Sequence, residues 1–264
     1  MAAQTELTYV SWVGAREELS RFVADRVPAG RPLDVVEAGC GRCWDLFVDP
    51  VLCRITGIDT DETALRARVE DRGDLHVPVV GDVQDAGVVP PASADLVYSA
   101  FVLEHLPRAE EALAAWVSWL RPGGHVIAIL PDAQSVYGFL SKSTPHGFHV
   151  WVYRHVFRRK RAGEPGRAPY PISYSRLMTA EGMQAFAAER GLDVVAAYRI
   201  GQMRDDARQL SRRRVHVIEG VKRVLSALTL GRLAWRHDNI AFVLGKPTDR
   251  TAMERPVPYA HAGA

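Results

Sequence analysis

The sequence is poor in cysteine: Cys40, Cys43 and Cys53 are the only three in 264 residues. An odd, small number does not suit the disulfide framework of a small secreted domain. Cys40 and Cys43 have the spacing of a redox dithiol or of half a zinc site. Zinc takes four ligands, and no second Cys/His pair at metal spacing follows, so no metal is expected. Long apolar runs are missing as well, and none approaches the length of a membrane span. The N-terminus lacks a basic start followed by an apolar core, so no signal peptide is expected and the expected location is cytoplasmic. Internal repeats are absent. So is a strong net charge, but the balance of +2 hides an asymmetry. Residues 1–150 carry 12 Lys+Arg against 21 Asp+Glu, whereas residues 151–264 carry 21 against 10. The second part is basic and would suit an anionic partner: a membrane surface, nucleic acid or an acidic substrate. An Arg-rich solvated surface is the plain alternative.

What is present is 47% hydrophobic residues, ample for one core, and a repeated rhythm. Residues 33–38 form an apolar run ending in an acid, followed by the turn Gly39-Cys40-Gly41. A second apolar run closes with Ile55-Thr56-Gly57-Ile58-Asp59. Gly39 and Gly41 lack a Cβ, so the backbone can turn sharply and approach a ligand. Asp59 ends a strand, where open α/β sheets meet ribose hydroxyls. Strands are expected at 33–38, 52–59, 76–80, 95–99, 125–130, 192–200 and 239–245. Helices are expected at 43–51, 61–71, 101–120 and 179–190, with Asp61 or Thr60 capping the second and Gly191 ending the last. This alternation predicts a doubly wound, Rossmann-like α/β fold.

Residues 1–30 read as an N-terminal helical cap, and residues 31–247 as the main domain. Two segments interrupt the rhythm. Residues 132–175 are long, aromatic and basic, and residues 203–235 read as a basic helical insertion. Residues 248–264 read as a flexible tail.

At this point the chain resembles the class I S-adenosylmethionine-dependent methyltransferases, of the small-molecule type close to the type 11/23 group. Glu37-Ala38-Gly39-Cys40-Gly41 is similar to their first motif, and Asp59 to the acid that closes their second strand. Gly81-Asp82-Val83 resembles the segment beside adenine. Asp95-Leu96-Val97-Tyr98-Ser99 with Val102-Leu103-Glu104-His105-Leu106 is similar to the fourth-strand motif, and Leu120-Arg121-Pro122-Gly123-Gly124 to the turn before strand five. Cys43 stands where the family commonly has a third glycine. The resemblance implies a seven-stranded, mostly parallel sheet with helices on both faces and the last strand antiparallel.

It also implies S-adenosyl-L-methionine as cofactor. Gly39 and Gly41 would admit its methionine and ribose portions, Glu37 would orient the loop, and Asp59, followed by Thr60, would accept from both ribose hydroxyls. Asp82 would accept from the adenine amino group and the Val83 amide would meet a ring nitrogen. The Ser99 carbonyl would meet the ammonium. A nicotinamide enzyme fits less well, because a carboxylate just before the glycines is unhelpful beside a pyrophosphate.

Methyl transfer is an in-line displacement in which the protein supplies position and electrostatics. For an oxygen acceptor a general base helps. His105 and His149 are the first candidates, with His146, Tyr137 and Tyr153 behind them; packing and capping are their plain alternatives. Trp151, Tyr153 and Phe157 could line an apolar acceptor pocket. With Arg158-Arg159-Lys160-Arg161 they could instead lie on an anionic membrane, as could 215–235 with Lys222, Arg223 and Arg232. The expected acceptor is a small molecule or a lipid-linked group, with peripheral membrane contact. RNA is the less favoured acceptor: no Asn/Asp-Pro-Pro-aromatic motif follows strand four, and no appended RNA-binding module is visible. A non-catalytic nucleoside-binding module with a basic docking surface is the remaining alternative.

Overall fold

Side-chain alternation in the central strands decides which helices cover which face. In the computed structural model, which describes residues 5–42, 44, 46–164, 168–201 and 212–248, β2 spans Leu33–Ala38. Leu33 and Val35 join one buried cluster, while Val36 and Ala38 join the other; successive strand residues point to opposite faces. The same split runs through β6, Leu120–Pro131, and β8, Asn239–Gly245. Ile127, Ala241 and Val243 meet the first cluster and Val126, Ile240 and Phe242 the second. Helix α1, Trp12–Ala24, covers the first face through Trp12, Ala15, Leu19 and Val23. Helix α2, Glu62–Asp71, adds Leu65 there. Helices α3, Ala109–Trp119, and α6, Ala180–Glu189, cover the second with Leu113, Trp116, Met183 and Phe186.

The remaining strands are β1, Thr8–Val10; β3, Cys53–Asp59; β4, Val77–Val80; β5, Ala94–Ala100; and β7, Asp193–Ile200. They form one eight-stranded sheet in the order β1-β7-β8-β6-β5-β2-β3-β4. Only β8 is antiparallel to its neighbours β6 and β7. The parallel strands therefore share one carboxyl edge, and the turns after β2, β3 and β5 meet there.

The expected architecture holds, with three local corrections. The sheet has eight strands, not seven, because Thr8-Tyr9-Val10 pairs with Tyr198-Arg199-Ile200 along the edge of β7. The N-terminal segment expected to be helical is thus a strand followed by a helix, and a β-branched and aromatic triplet suits that edge. Among the described residues of 43–51 no α-helix forms; the chain runs irregularly into a 3-10 turn, Pro50–Leu52. Residues 101–108 are not α-helical either. Phe101 takes a positive φ of 58°, and a 3-10 turn, Leu103–His105, precedes α3.

The two interruptions gather at the carboxyl edge. Residues 132–175 contain helices α4, Val136–Ser143, and α5, His146–His155. Ser135 caps α4 by accepting from the Gly138 amide at 2.9 Å. The second interruption, between β7 and β8, contains α7, Arg212–Leu228; residues 202–211 and 249–264 lie outside the described residues.

Candidate cofactor and acceptor site

The glycine turn is built on the end of β3. The amides of Gly39 and Cys40 both donate to the Ile58 carbonyl, at 2.8 and 3.1 Å. Asp59 then uses both carboxylate oxygens on backbone. Oδ2 accepts from the Gly41 amide at 2.8 Å and Oδ1 from the Asp61 amide at 2.9 Å. Gly39 and Gly41 have positive φ, 71° and 51°. At Gly39 a Cβ would lie 2.3 Å from a Val102 methyl, so the residue after Phe101 packs directly on the turn. At Gly41 a Cβ would meet nothing within 4 Å. On the Cβ side of Gly41 there is therefore open space, and the Asp59 carboxylate behind the turn is half-buried. A carboxylate oxygen has a second lone pair beyond the one it gives an amide. This pair of acceptor oxygens fits a vicinal diol.

Glu37 has an immediate partner that the sequence did not suggest. It is buried and ion-paired to the Arg68 guanidinium at 2.8 Å. Arg68, on α2 and fully buried, also donates Nε to Asp74 at 2.9 Å and Nη1 to the Cys40 carbonyl at 2.9 Å. One guanidinium thus joins two buried acids to the glycine turn. The spacing of Leu65 and Arg68, on one face of α2, was the only available signal. Cys40 is buried and its thiol is pushed up to about 12, chiefly by burial. Cys43, its expected partner in spacing, is outside the described residues.

Other named residues distribute around the same edge. The Ser99 hydroxyl donates to the Ala38 carbonyl at 2.9 Å and ties the ends of β5 and β2. Thr60 is exposed, and Asp61 is the cap of α2, accepting from the Ala64 amide at 3.1 Å. Asp82 is exposed after β4 and accepts from the backbone and side-chain amides of Gln84 at 2.9 and 3.1 Å. The Gln84 side-chain carbonyl accepts from the Arg108 amide at 3.0 Å. Val83 is buried, and its carbonyl accepts from the Trp116 indole at 2.9 Å.

His105 lies in the 3-10 turn after β5, under a strap formed by residues 170–174. Its Nδ1 is 2.7 Å from the Pro171 carbonyl, which only accepts, so Nδ1 carries the proton. Nε2 is left with its lone pair, 3.9 Å from Glu104 Oε1. Burial holds the imidazole below its ordinary pKa, so it is neutral at pH 7. The strap is fixed further: the Ser173 amide donates to the Glu104 carbonyl at 2.6 Å, and the Tyr174 hydroxyl to the Gly138 carbonyl at 3.0 Å. His149 is placed differently. Its Nε2 is 2.7 Å from the Thr144 hydroxyl, which in turn donates to the Leu140 carbonyl, so it closes the turn between α4 and α5. A buried His–acid pair, not expected from sequence, joins His237 Nε2 to Asp132 Oδ2 at 2.7 Å where β6 ends and β8 begins.

Glu104 is 3% exposed, and its Oε2 has no hydrogen-bond partner. Burial pushes its carboxyl up to about 8. A raised carboxyl means that the folded state keeps a proton the unfolded chain has lost. That contribution to stability is fully present below the ordinary carboxylate range and drains away as pH rises toward about 8. Glu104→Gln is therefore expected to melt like the parent at about pH 5 and above it at pH 8, read by thermal unfolding. Equal shifts at both pH values would show that Glu104 is not carrying the proton.

Comparison with known proteins agrees with this geometry. The family model described as "Methyltransferase domain" matches residues 36–128, which run from β2 into β6. A Mycolicibacterium smegmatis protein described as a "Probable S-adenosylmethionine-dependent methyltransferase" is 34% identical over 126 residues. That match takes in 46% of this chain and 46% of the relative, so the chain spans about half the length of the curated protein it matches. The solved cyclase SpnF superposes with a TM-score of 0.56 at 15% identity, over 94% of this chain and 89% of that one. The YcgJ protein of Bacillus subtilis gives 0.56 at 11% identity, over 88% and 99%. Identities this low establish the fold alone.

Proposed function

We propose that this chain, whose residues 36–128 match the methyltransferase-domain model, is a class I S-adenosylmethionine-dependent methyltransferase that moves a methyl group from S-adenosylmethionine to a small-molecule or lipid-linked acceptor. The observation that carries this reading is the Asp59 carboxylate, held on the amides of Gly41 and Asp61 at a glycine turn whose Gly41 has open space on its Cβ side. The cofactor supplies the electrophilic methyl group. In this reading Asp59 accepts from the ribose hydroxyls, and Gly39 and Gly41 let the backbone approach the ribose and methionine portions. Glu37 and Arg68 hold that turn in place. Asp82 and the Val83 amide face the adenine, and the Ser99 carbonyl the ammonium, with Thr60 at the rim.

On the acceptor side, His105 presents a neutral Nε2 as general base for a hydroxyl acceptor. The strap partly covers it, with Tyr170 edge-on to the imidazole at 5.6 Å. His149 serves the α4–α5 turn rather than the chemistry. Helices α4, α5 and α7, at the same edge as this site, suit a lipid-linked acceptor met at an anionic membrane surface. Among the described residues no helix is long and apolar enough to cross a membrane, so that contact would be peripheral.

Two measurements test the reading. Calorimetric titration with S-adenosylmethionine should show saturable binding, and its absence would remove the donor assignment. Methyl-labelled cofactor incubated with an extract should place label in the lipid or small-molecule fraction. Label confined to RNA would replace the acceptor assignment with the nucleic-acid one.

A further inference from the structure

Helix α7 is inverted. Its buried residues are polar: Lys222 donates to Asp238 at 2.6 Å, and Ser226 donates to the Leu233 carbonyl at 2.7 Å. Four large apolar residues are exposed on it, among basic ones. Val217, Val221, Val224 and Leu228 recur at the spacing of a single helical stripe, and they are 65%, 51%, 60% and 75% exposed. A surface helix ordinarily does the reverse. Leu230, 89% exposed, prolongs the stripe, and Phe139 of α4 borders the groove at its end. A contiguous aliphatic strip of this kind marks an interaction surface.

The charges beside the stripe select the partner. Exposed Arg213, Arg223 and Arg232, with His216, accompany it, while Glu219 is the one acid among the described residues of α7. A second copy docked by a two-fold axis would set these arginines against one another. Nucleic acid would match the charge but has nothing to stack on valine and leucine. Basic residues flanking an aliphatic helix face match the boundary between anionic headgroups and acyl chains.

We propose that the α7 stripe, with Leu230 and Phe139, docks this protein on an anionic lipid bilayer, the helix lying in the plane of the surface. The proposal rests on the peripheral-membrane part of the reading above and not on methyl transfer. β7 ends and β8 begins at the carboxyl edge of the sheet, so α7, which joins them, would set the candidate site at the bilayer.

Vesicle co-sedimentation of the full chain tests this, with phosphatidylcholine alone and phosphatidylcholine mixed with phosphatidylglycerol. The parent should pellet with the anionic vesicles and not with the neutral ones. Combined Val217→Ser, Val221→Ser and Leu228→Ser should lower the bound fraction at least about tenfold. Val69→Ser, at an exposed position on α2, should leave it unchanged. All four sites are solvent-facing, and circular dichroism would verify that the variants are folded. Equal pelleting of parent and triple variant, or none by the parent, would overturn the proposal. A parent dimer that the triple variant loses on gel filtration would reassign the face to a second copy. Retention of RNA in place of vesicles would reassign it to nucleic acid. Calorimetry with S-adenosylmethionine on the same preparations separates the two readings, because cofactor binding without vesicle binding removes only the docking surface.

Discussion

Asp59→Ala is expected to weaken S-adenosylmethionine binding at least about a hundredfold, because a charged acceptor is worth about 1.5–3 kcal/mol for each of its two ribose hydrogen bonds and each 1.4 kcal/mol is tenfold. The loss has two parts. The variant removes the acceptor for the ribose diol, and it releases the Gly41 and Asp61 amides that shape the turn. Asp59→Asn separates shape from charge. However the amide is rotated, its NH2 group must face the N–H of Gly41 or of Asp61. Asparagine is therefore expected to bind nearly as poorly as alanine, although it is almost the same size. Calorimetry reads both, and an Asp59→Ala protein with unchanged affinity would remove the ribose role.

Arg68→Ala is expected to cost about 3–5 kcal/mol of stability, the usual result of stripping one partner from a buried ion pair. Glu37 and Asp74 would be left as buried carboxylates without their shared cation, and the Cys40 carbonyl would lose its donor. Against a typical total of about 5–15 kcal/mol, such a loss leaves a marginal protein. Replacing the whole network is expected to behave differently. Arg68→Met with Glu37→Gln and Asp74→Asn leaves no buried charge and should recover most of the loss. Urea unfolding midpoints measure both variants. A cost below about 1 kcal/mol for Arg68→Ala would mean that water reaches the two acids and that the network is not dry.

The turn at residues 39–41 and the acid at 59 were legible because strand alternation and glycine chemistry are local properties. So was the sense of the sheet, carried by the order of apolar runs. The Arg68 network was not legible: Glu37 is on β2, Arg68 on α2 and Asp74 in the loop that follows, and nothing in the sequence says that Glu37 meets the other two. The strand at Thr8–Val10 is too short to show a period, and its partner lies at the far end of the sequence. For α7 the periodicity located a stripe but could not say which way it faced. Polar and apolar stripes on one helix are symmetrical in sequence; only the burial of Lys222 and Ser226 reveals the inversion. The partner of His149 was not legible either. An aromatic, basic segment suggests a pocket, whereas its imidazole is spent on Thr144.

The pairing of β1 with β7 also sets an order of events in folding. Thr8, Tyr9 and Val10 pair with Tyr198, Arg199 and Ile200, 190 residues further along the chain. Contacts between such distant segments form late and slow the folding rate. Until β1 arrives, β7 presents an unpaired edge, the kind of surface on which strands from other chains add. The three-residue strand β1 therefore covers the edge of β7 as well as leading into α1.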